Sequence, residues 1–284
     1  MSTRHPYIEA LTWHIDEEAD IAIEEAPVNR LKTPPSLGSV LGTPANEPGL
    51  ATQAPAPSRI IPAPIKGPFS QHQQDAIAAA KACATLEDLE KAIRAYDGLD
   101  VKRTATNLVF ADGNKNARVM VIGEAPGADE DRQGKPFVGV SGQLLDKMFA
   151  CIGLARTNED PAASLYISNI LNWRPPGNRT PTEQEIALAL PFIERHIALI
   201  KPQFVVVAGA TAAKSILNMN QPISRLRGKF YSYNPVTPGI LDGIDPFACK
   251  VIPTYHPSFL LRTPAQKRQA WHDLLTLQAE MSAS

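Results

Sequence analysis

Four short apolar runs, rich in Val and Ile, recur through the later part of the chain. They read RVMVIG, LYISNIL, FVVVA and KVIPTY and occupy residues 118–123, 165–171, 204–208 and 250–255. Continuous apolar runs of this length, each followed by Gly, polar or Pro-rich sequence, are typical of buried parallel strands. The pattern therefore predicts a four-stranded parallel sheet.

Helical periodicity fills the stretches between and around these runs. One apolar series follows the first run, and a second follows a Thr182-x-x-Glu185 capping box. The two series are Leu144, Leu145, Met148 and Ile152, then Ile186, Leu190, Ile193, Ile197 and Ile200. Further helices are predicted at residues 71–96 and 264–281. Strands alternating with helices predict an α/β fold with three α/β/α layers around a central parallel four-stranded sheet, and a ligand site at the carboxyl ends of the strands.

The first 70 residues differ from the rest. They contain 11 of the 26 prolines and carry 5 basic and 8 acidic side chains, whereas the remainder carries 23 and 21. Apolar residues at helical spacing beside an acidic run predict an acidic helix within residues 1–25. Residues 26–68 have no periodicity and read as a Pro-rich linker. Residues 69–284 are predicted to form the α/β domain.

Composition narrows the class of protein. The net charge is −1, so an anionic partner has to be held by a local basic patch rather than by the field of the whole molecule. Three cysteines, Cys83, Cys151 and Cys249, share no CxxC spacing, which favours reduced thiols and a cytoplasmic location. No signal peptide is apparent and no apolar stretch reaches the roughly 18 residues of a membrane span, so no membrane partner is expected.

Three loops after the predicted strands carry specific motifs. Residues 123–145 read GEAPGADEDRQGKPFVGVSGQLL, residues 173–179 read WRPPGNR after Asn169, and residues 256–262 read HPSFLLR. The glycines fit neither the GxGxxG dinucleotide fingerprint nor a Walker ending. In their order and spacing, these motifs resemble the uracil-DNA glycosylase superfamily, specifically family 4, over about residues 84–280.

The resemblance implies hydrolysis of the N-glycosidic bond between uracil and deoxyribose in DNA, after base flipping, to leave an abasic site for base excision repair. His256 matches the histidine that donates to uracil O2 as the leaving group becomes anionic. Asn169 matches the asparagine that reads the uracil edge, because one amide both donates and accepts. Phe137 matches the aromatic that stacks on the flipped base. The alternatives for these residues are a loop histidine, a strand-end turn and plain core packing.

Carboxylates in the first motif are harder to assign. Sister families place an Asp after the first Gln of this loop, where Ala125 stands here beside the uracil site. Glu124 is the first candidate for positioning water or stabilising the sugar cation, with Asn178 as its helper. Glu130 is expected beside the uracil C5 edge, where it excludes the thymine methyl group. The alternative for each carboxylate is a solvated loop acid, which is the prediction for Asp129 and Asp131.

DNA binding is expected to combine an apolar wedge with local cations. Leu260, Leu261 and Arg262 resemble the family's insertion loop, whose apolar side chain fills the gap left by the flipped nucleotide. Arg174 and Arg179 are candidates for phosphate contacts. Weaker candidates for the same role are Arg225, Arg227, Lys229, Lys267 and Arg268.

Iron–sulfur chemistry is where the sequence departs from the family. Family 4 enzymes carry four cysteines that hold such a cluster, and the matching positions here are Tyr96, Leu99, Trp173 and Ala189. We therefore expect no cluster, no other metal and no cofactor.

The expected protein is a monomeric, monofunctional glycosylase, since no lysine nucleophile is apparent near the site, and it is expected to act on single- or double-stranded DNA that contains uracil. Two other classes remain open: a non-catalytic DNA-binding protein on the same fold, and a hydrolase of free nucleosides. Intact Glu124, Asn169 and His256 argue against the first, and the Leu-Leu-Arg segment argues against the second.

Overall fold

The computed structural model describes residues 70–283. The predicted acidic helix and Pro-rich linker, residues 1–25 and 26–68, lie outside the described residues. The strands are β1 (Asp112–Gly113), β2 (Val119–Gly123), β3 (Leu165–Asn169), β4 (Phe204–Ala208), β5 (Tyr231–Ser232) and β6 (Lys250–Thr254). The helices are α1 (Gln71–Lys81), α2 (Leu86–Ala95), α3 (Ala128–Gln133), α4 (Val140–Ala150), α5 (Glu183–Ile200), α6 (Ala210–Leu217), α7 (Ile223–Leu226), α8 (Pro257–Arg262) and α9 (Lys267–Ala283). Single 3₁₀ turns lie at Asp100–Arg103, Pro161–Ala163, Pro176–Asn178 and Pro264–Gln266.

The sheet has the strand order β1-β3-β2-β4-β6-β5. Its middle four strands, β3, β2, β4 and β6, are parallel, as the apolar runs predict. The sheet is nevertheless six-stranded rather than four-stranded, because β1 and β5 pair antiparallel at its two edges. Each edge strand has two residues, too few for a hydrophobic period to appear in the sequence.

Helices cover both faces of the sheet. Alternate strand residues, such as Met120 and Ile122, point to a core shared with α1, α2, α5 and α6. The intervening residues, such as Val119 and Val121, point to a second core shared with α4, α8 and α9. The predicted three-layer α/β/α architecture is therefore observed.

The helix predicted at residues 71–96 is instead two helices, α1 and α2. Thr85 starts the second one, since its side-chain oxygen accepts the backbone N–H of Asp88. The Cys83 carbonyl oxygen, which lies between them, accepts two hydrogen bonds from the buried Arg195 guanidinium at 2.7 and 2.9 Å. The Arg195 guanidinium, from a distant helix, thus stabilises the break between α1 and α2. No local sequence pattern predicts this contact.

Helix α5 holds neighbouring loops in place through buried polar side chains. It begins at the predicted capping box, in which Thr182 and Glu185 bond to each other's backbone N–H. Near its middle, the Glu194 carboxylate accepts the N–H groups of Val236 and Thr237, and burial raises the pKa of Glu194. Within residues 70–283, no helix is long and apolar enough to cross a membrane.

Candidate active site

A two-lobed cleft lies where the loops after the parallel strands meet. The lobes have volumes of about 400 and 340 Å³. Both are lined by Glu124, Ala125, Asn178, His256, Ser258 and Arg262. The smaller lobe also includes Phe137, Asn169 and Glu130. All of the predicted catalytic and uracil-binding residues therefore line one cleft.

Asn169 ends strand β3 with its side chain at the floor of the smaller lobe. Only 2% of the residue is exposed, yet its amide makes no hydrogen bond to any residue within the described chain. Its neighbour in the sheet is Gly123, the last residue of β2. A Cβ atom at Gly123 would lie 2.4 Å from the Asn169 Oδ1 atom and 2.6 Å from the Phe137 ring. Because Gly123 has no side chain, there is room for the side chains of both Asn169 and Phe137.

Phe137 is held in an unusual backbone conformation above this floor. Its φ of 54° lies in the left-handed region, which a bulky residue rarely adopts. The Phe137 carbonyl oxygen accepts a hydrogen bond of 2.8 Å from Arg156, and it packs so closely on Gly142 that a Cβ there would lie 2.0 Å away. The ring centroid is 5.5 Å from that of His256. Backbone strain sustained by surrounding contacts is frequent at functional sites.

Glu130 is buried and fully hydrogen-bonded, so it is not the solvated acid of the alternative interpretation. Its carboxylate accepts the backbone N–H groups of Gly127, Val138 and Gly139 at 3.1, 2.9 and 2.8 Å. These bonds tie the two ends of the loop that carries Phe137. The predicted contact of Glu130 with the uracil C5 edge stays a prediction, although the residue does line the smaller lobe.

Glu124 lies between the two lobes. Its backbone carbonyl oxygen accepts the N–H of Leu171. Its carboxylate makes no hydrogen bond or ion pair with any residue that the structure describes. It is therefore available to a water molecule or a substrate.

His256 is fixed in one tautomer by its position at the start of α8. Its Nδ1 atom accepts the Ser258 N–H at 3.1 Å and lies 2.8 Å from the Ser258 hydroxyl. Because Nδ1 is an acceptor, the neutral ring carries its proton on Nε2. Burial, helped by nearby Arg262 and opposed by Glu130, lowers the pKa of His256 to about 4. The ring is thus a neutral donor at physiological pH.

Asn178 and the two predicted phosphate ligands, Arg174 and Arg179, lie on the rim. The Arg174 Nε atom donates to the Asn178 side-chain oxygen at 2.7 Å. Arg179 makes a two-point ion pair with Glu185 at 2.6 and 2.8 Å, which lowers the pKa of Glu185 to about 2. Arg179 is exposed, but its charge is already paired within the protein.

The HPSFLLR segment forms helix α8, and its three predicted DNA-contacting residues differ in exposure. Leu260 is completely buried in the core beneath α8, so the structure does not support its prediction as an inserted side chain. Consecutive residues of a helix point in different directions, so Leu260 and Leu261 cannot share one face of α8. Leu261 is partly exposed, and Arg262 is exposed on the rim of both lobes.

The prediction that Asp131 is solvated is wrong. Asp131 is 3% exposed, and one of its carboxylate oxygens accepts the N–H groups of Thr106 and Asn107. Arg227, a weaker candidate for phosphate contacts, forms an ion pair with Asp273 and lies over the Tyr255 ring, and its phosphate contact stays a prediction. The sequence pattern predicts neither the contacts of Asp131 nor those of Arg227.

The larger lobe includes residues that the sequence motifs do not single out. Gly209 follows β4 with a φ of 97°, and a Cβ there would lie 3.1 Å from the His256 Cβ atom. Ala210 and Thr211, which begin α6, line the same lobe, as does Tyr255. The glycine after a buried strand is the one signal that points to this segment.

The four positions that correspond to the family's cluster cysteines lie together in the core. Leu99, Trp173 and Ala189 are buried in one apolar cluster, and Tyr96 packs against it. The Trp173 indole N–H has no hydrogen-bond partner among the described residues. Among the described residues, no group of three or more His, Cys, Asp or Glu side chains is placed to hold a metal. These residues do not fit an iron–sulfur cluster, which needs thiolate ligands.

Fold and cleft together define an α/β protein with a two-lobed polar site at the carboxyl ends of its parallel strands. A family model described as "Uracil DNA glycosylase superfamily" matches residues 110–275. The chain is 37% identical over 189 residues to a type-4 uracil-DNA glycosylase of Archaeoglobus fulgidus, covering 65% of this chain and 87% of the relative. It is 40% identical over 158 residues to a type-4 uracil-DNA glycosylase of Thermotoga maritima, covering 55% and 73%. The chain belongs to the uracil DNA glycosylase superfamily.

Proposed function

We propose that this protein is a uracil-DNA glycosylase that hydrolyses the N-glycosidic bond of uracil in DNA and leaves an abasic site for base excision repair. One observation carries the proposal. Asn169 is 2% exposed and its amide makes no hydrogen bond to a described residue, so the amide is available to a ligand in the same lobe as the Phe137 ring and the Nε2–H donor of His256. An amide, a ring face and a neutral donor are what recognition of a flipped uracil requires.

Each group has a separate task in bond cleavage. The Asn169 amide donates to uracil O4 and accepts N3–H, which distinguishes uracil from cytosine. The Phe137 ring stacks on the base. As the bond breaks, its electron pair moves to the uracil, and the His256 Nε2–H stabilises the negative charge that develops on O2.

Glu124 acts on the sugar side of the broken bond. Its unpaired carboxylate stabilises the positive charge on the sugar and accepts a proton from the attacking water, whose oxygen bonds to C1′. Asn178 assists with that water. Neither lobe of the cleft is lined by a described lysine that would form a covalent intermediate with the sugar, which supports a monofunctional glycosylase.

DNA is held at the cleft rim, where Leu261 of α8 is partly exposed and Arg262 is exposed. We propose a monomer that accepts uracil in both single strands and duplexes. Cys83, Cys151 and Cys249 all lie among the described residues and are buried with no disulfide between them, which supports a reducing, cytoplasmic setting. The catalytic unit is proposed to be residues 69–284.

No iron–sulfur cluster is proposed for this protein. Apolar packing of Leu99, Trp173 and Ala189 takes the place that the thiolates have in relatives. Iron and acid-labile sulfide are to be measured in protein purified without oxygen, where stoichiometric amounts of both would contradict the proposal.

A uracil-release assay on three substrates tests the function. Single-stranded DNA with uracil, the same sequence as a duplex, and free deoxyuridine are compared, with thymine-containing DNA as the control. The proposal expects free uracil from both DNA substrates and little from deoxyuridine. Release from deoxyuridine alone would indicate a nucleoside hydrolase, and binding without release would indicate a non-catalytic DNA-binding protein.

A further inference from the structure

Behind the rim of the cleft, a buried carboxylate is linked to a cleft residue through one arginine. The Asp131 side chain is 5% exposed, and its Oδ2 atom lies 4.0 Å from an Nη atom of Arg174. Arg174 in turn donates from Nε to the Asn178 Oδ1 atom at 2.7 Å. Asn178 lines both lobes of the cleft beside Glu124.

The direction of the Asn178 amide follows from this contact. Arginine has only donors, so the amide oxygen has to face Arg174. The NH₂ group is then on the opposite side of the amide and is left for the cleft. It presents donors to an acceptor such as a water oxygen, next to the Glu124 carboxylate that would take the water proton.

Asn178 needs such support because its own segment is exposed. Its φ is 56° and that of Gly177 is 63°, so two successive residues adopt the left-handed region. The side of the segment away from the cleft is anchored by the buried Trp173. Without Arg174, no described side chain would fix the rotation of the Asn178 amide.

Asp131 has two oxygens with separate partners. Its Oδ1 atom accepts the N–H groups of Thr106 and Asn107 at 2.8 and 3.0 Å, whereas Oδ2 faces Arg174. A neutral Asn at this position would keep the first set of contacts and lose the charge that attracts the guanidinium. The structural and the positioning roles of Asp131 are therefore separable by one substitution.

We propose that Asp131 is a positioning residue that acts through Arg174 to orient the Asn178 amide toward the attacking water. The proposal rests on the proposed glycosylase function. It gives Arg174 a different role from the phosphate contact predicted from the sequence. The two roles differ in salt dependence, because each phosphate contact contributes about one unit to the slope of log binding constant against log salt.

The test is a double-mutant cycle measured as kcat and KM for uracil release. Asp131→Asn and Arg174→Gln are each expected to lower kcat about tenfold with little change in KM, within the range known for coupled neighbours. In the Asn178→Ala background, neither substitution is expected to lower kcat further. Asp131→Asn should keep the wild-type melting temperature, and Arg174→Gln should keep the wild-type salt slope of DNA binding.

Asp129→Asn and Arg132→Gln are matched controls from the same helix, since these two side chains pair with each other and line neither lobe of the cleft. Both should retain wild-type kcat. Full activity of Asp131→Asn, full activity of Asn178→Ala, additive losses in the double variants, or a salt slope reduced by about one unit in Arg174→Gln would each overturn the proposal. A wild-type protein that releases no uracil would overturn the glycosylase function itself.

Discussion

At the scale of single residues, the state of His256 decides how the leaving uracil is stabilised. The Ser258 N–H fixes the proton on Nε2, and burial keeps the ring neutral. A neutral donor suits uracil O2 because it needs no proton transfer before the bond breaks. The same contacts identify Ser258 as the residue that selects the tautomer of His256. Ser258 is part of the sequence motif, but the motif alone does not explain its role.

This state predicts a particular pH profile. Since the pKa of His256 is lowered from 6.5 to about 4, protonation of the ring begins only well below pH 6.5. The rate of uracil release should therefore show no rise toward acid between pH 8 and pH 5. A single-turnover rate that instead rises with a midpoint near pH 6.5 would mean that the imidazolium is the active form.

At the scale of elements, neighbouring residues of helix α8 differ in role: one packs in the core, and two are proposed to contact DNA. Leu260 points into the core beneath the helix, whereas Leu261 and Arg262 lie at or near the surface. A run of two leucines and an arginine does not reveal which one is buried, because the helix is a single turn and its direction depends on tertiary packing.

Substitutions in α8 should therefore give distinct results. Leu260→Ala should lower the free energy of unfolding by about 2–5 kcal/mol, because it leaves a cavity in the core. Leu261→Ala and Arg262→Ala should leave stability nearly unchanged and impair uracil release from duplex more than from single strands, since only a duplex has to be opened. Denaturant unfolding and parallel assays on the two substrates measure this. Equal losses on both substrates would mean that the helix surface does not insert into DNA.

The segment from Trp173 to Asn178 links the core to the cleft. Trp173 is buried, and its indole N–H finds no partner within residues 70–283, which is a cost that an apolar ring of similar shape avoids. Trp173→Ala should destabilise the fold by about 3–5 kcal/mol, as removal of a buried aromatic side chain does. Trp173→Phe should cost much less than Trp173→Ala. Thermal unfolding of the two variants checks this, and equal melting temperatures for Trp173→Ala and wild type would contradict the packing role.

The helices and strands also show which structural features a sequence pattern predicts and which it does not. The four parallel strands are long enough for their apolar runs to be recognised, so the middle of the sheet and the cleft at its carboxyl edge are predictable. Edge strands of two residues, the break between α1 and α2, and the burial of Asp131 depend on partners far away in the chain. Glu130 is similar: its motif position is recognisable, but its three backbone hydrogen bonds appear only once the loop is folded.

At the scale of the whole molecule, the described residues 70–283 contain both cores and line both lobes of the cleft. Deletion of residues 1–68 should therefore preserve single-turnover uracil release from single-stranded DNA within a few-fold. The full chain, assayed on the same DNA, is the control. A truncated protein that is folded by circular dichroism but inactive would show that residues 1–68 contribute to the reaction.

Catalysis in this cleft requires that Asn169 and His256 act on the leaving uracil. The most direct measurement is the single-turnover rate of uracil release from single-stranded DNA by wild type, Asn169→Ala and His256→Ala, with Asp129→Asn as the control. Loss of one such hydrogen-bonding group is expected to lower the rate by roughly 10²–10³-fold. Binding to DNA that already contains an abasic site should stay within a few-fold of wild type. Release at close to the wild-type rate by either alanine variant would contradict the assignment of this cleft as the active site.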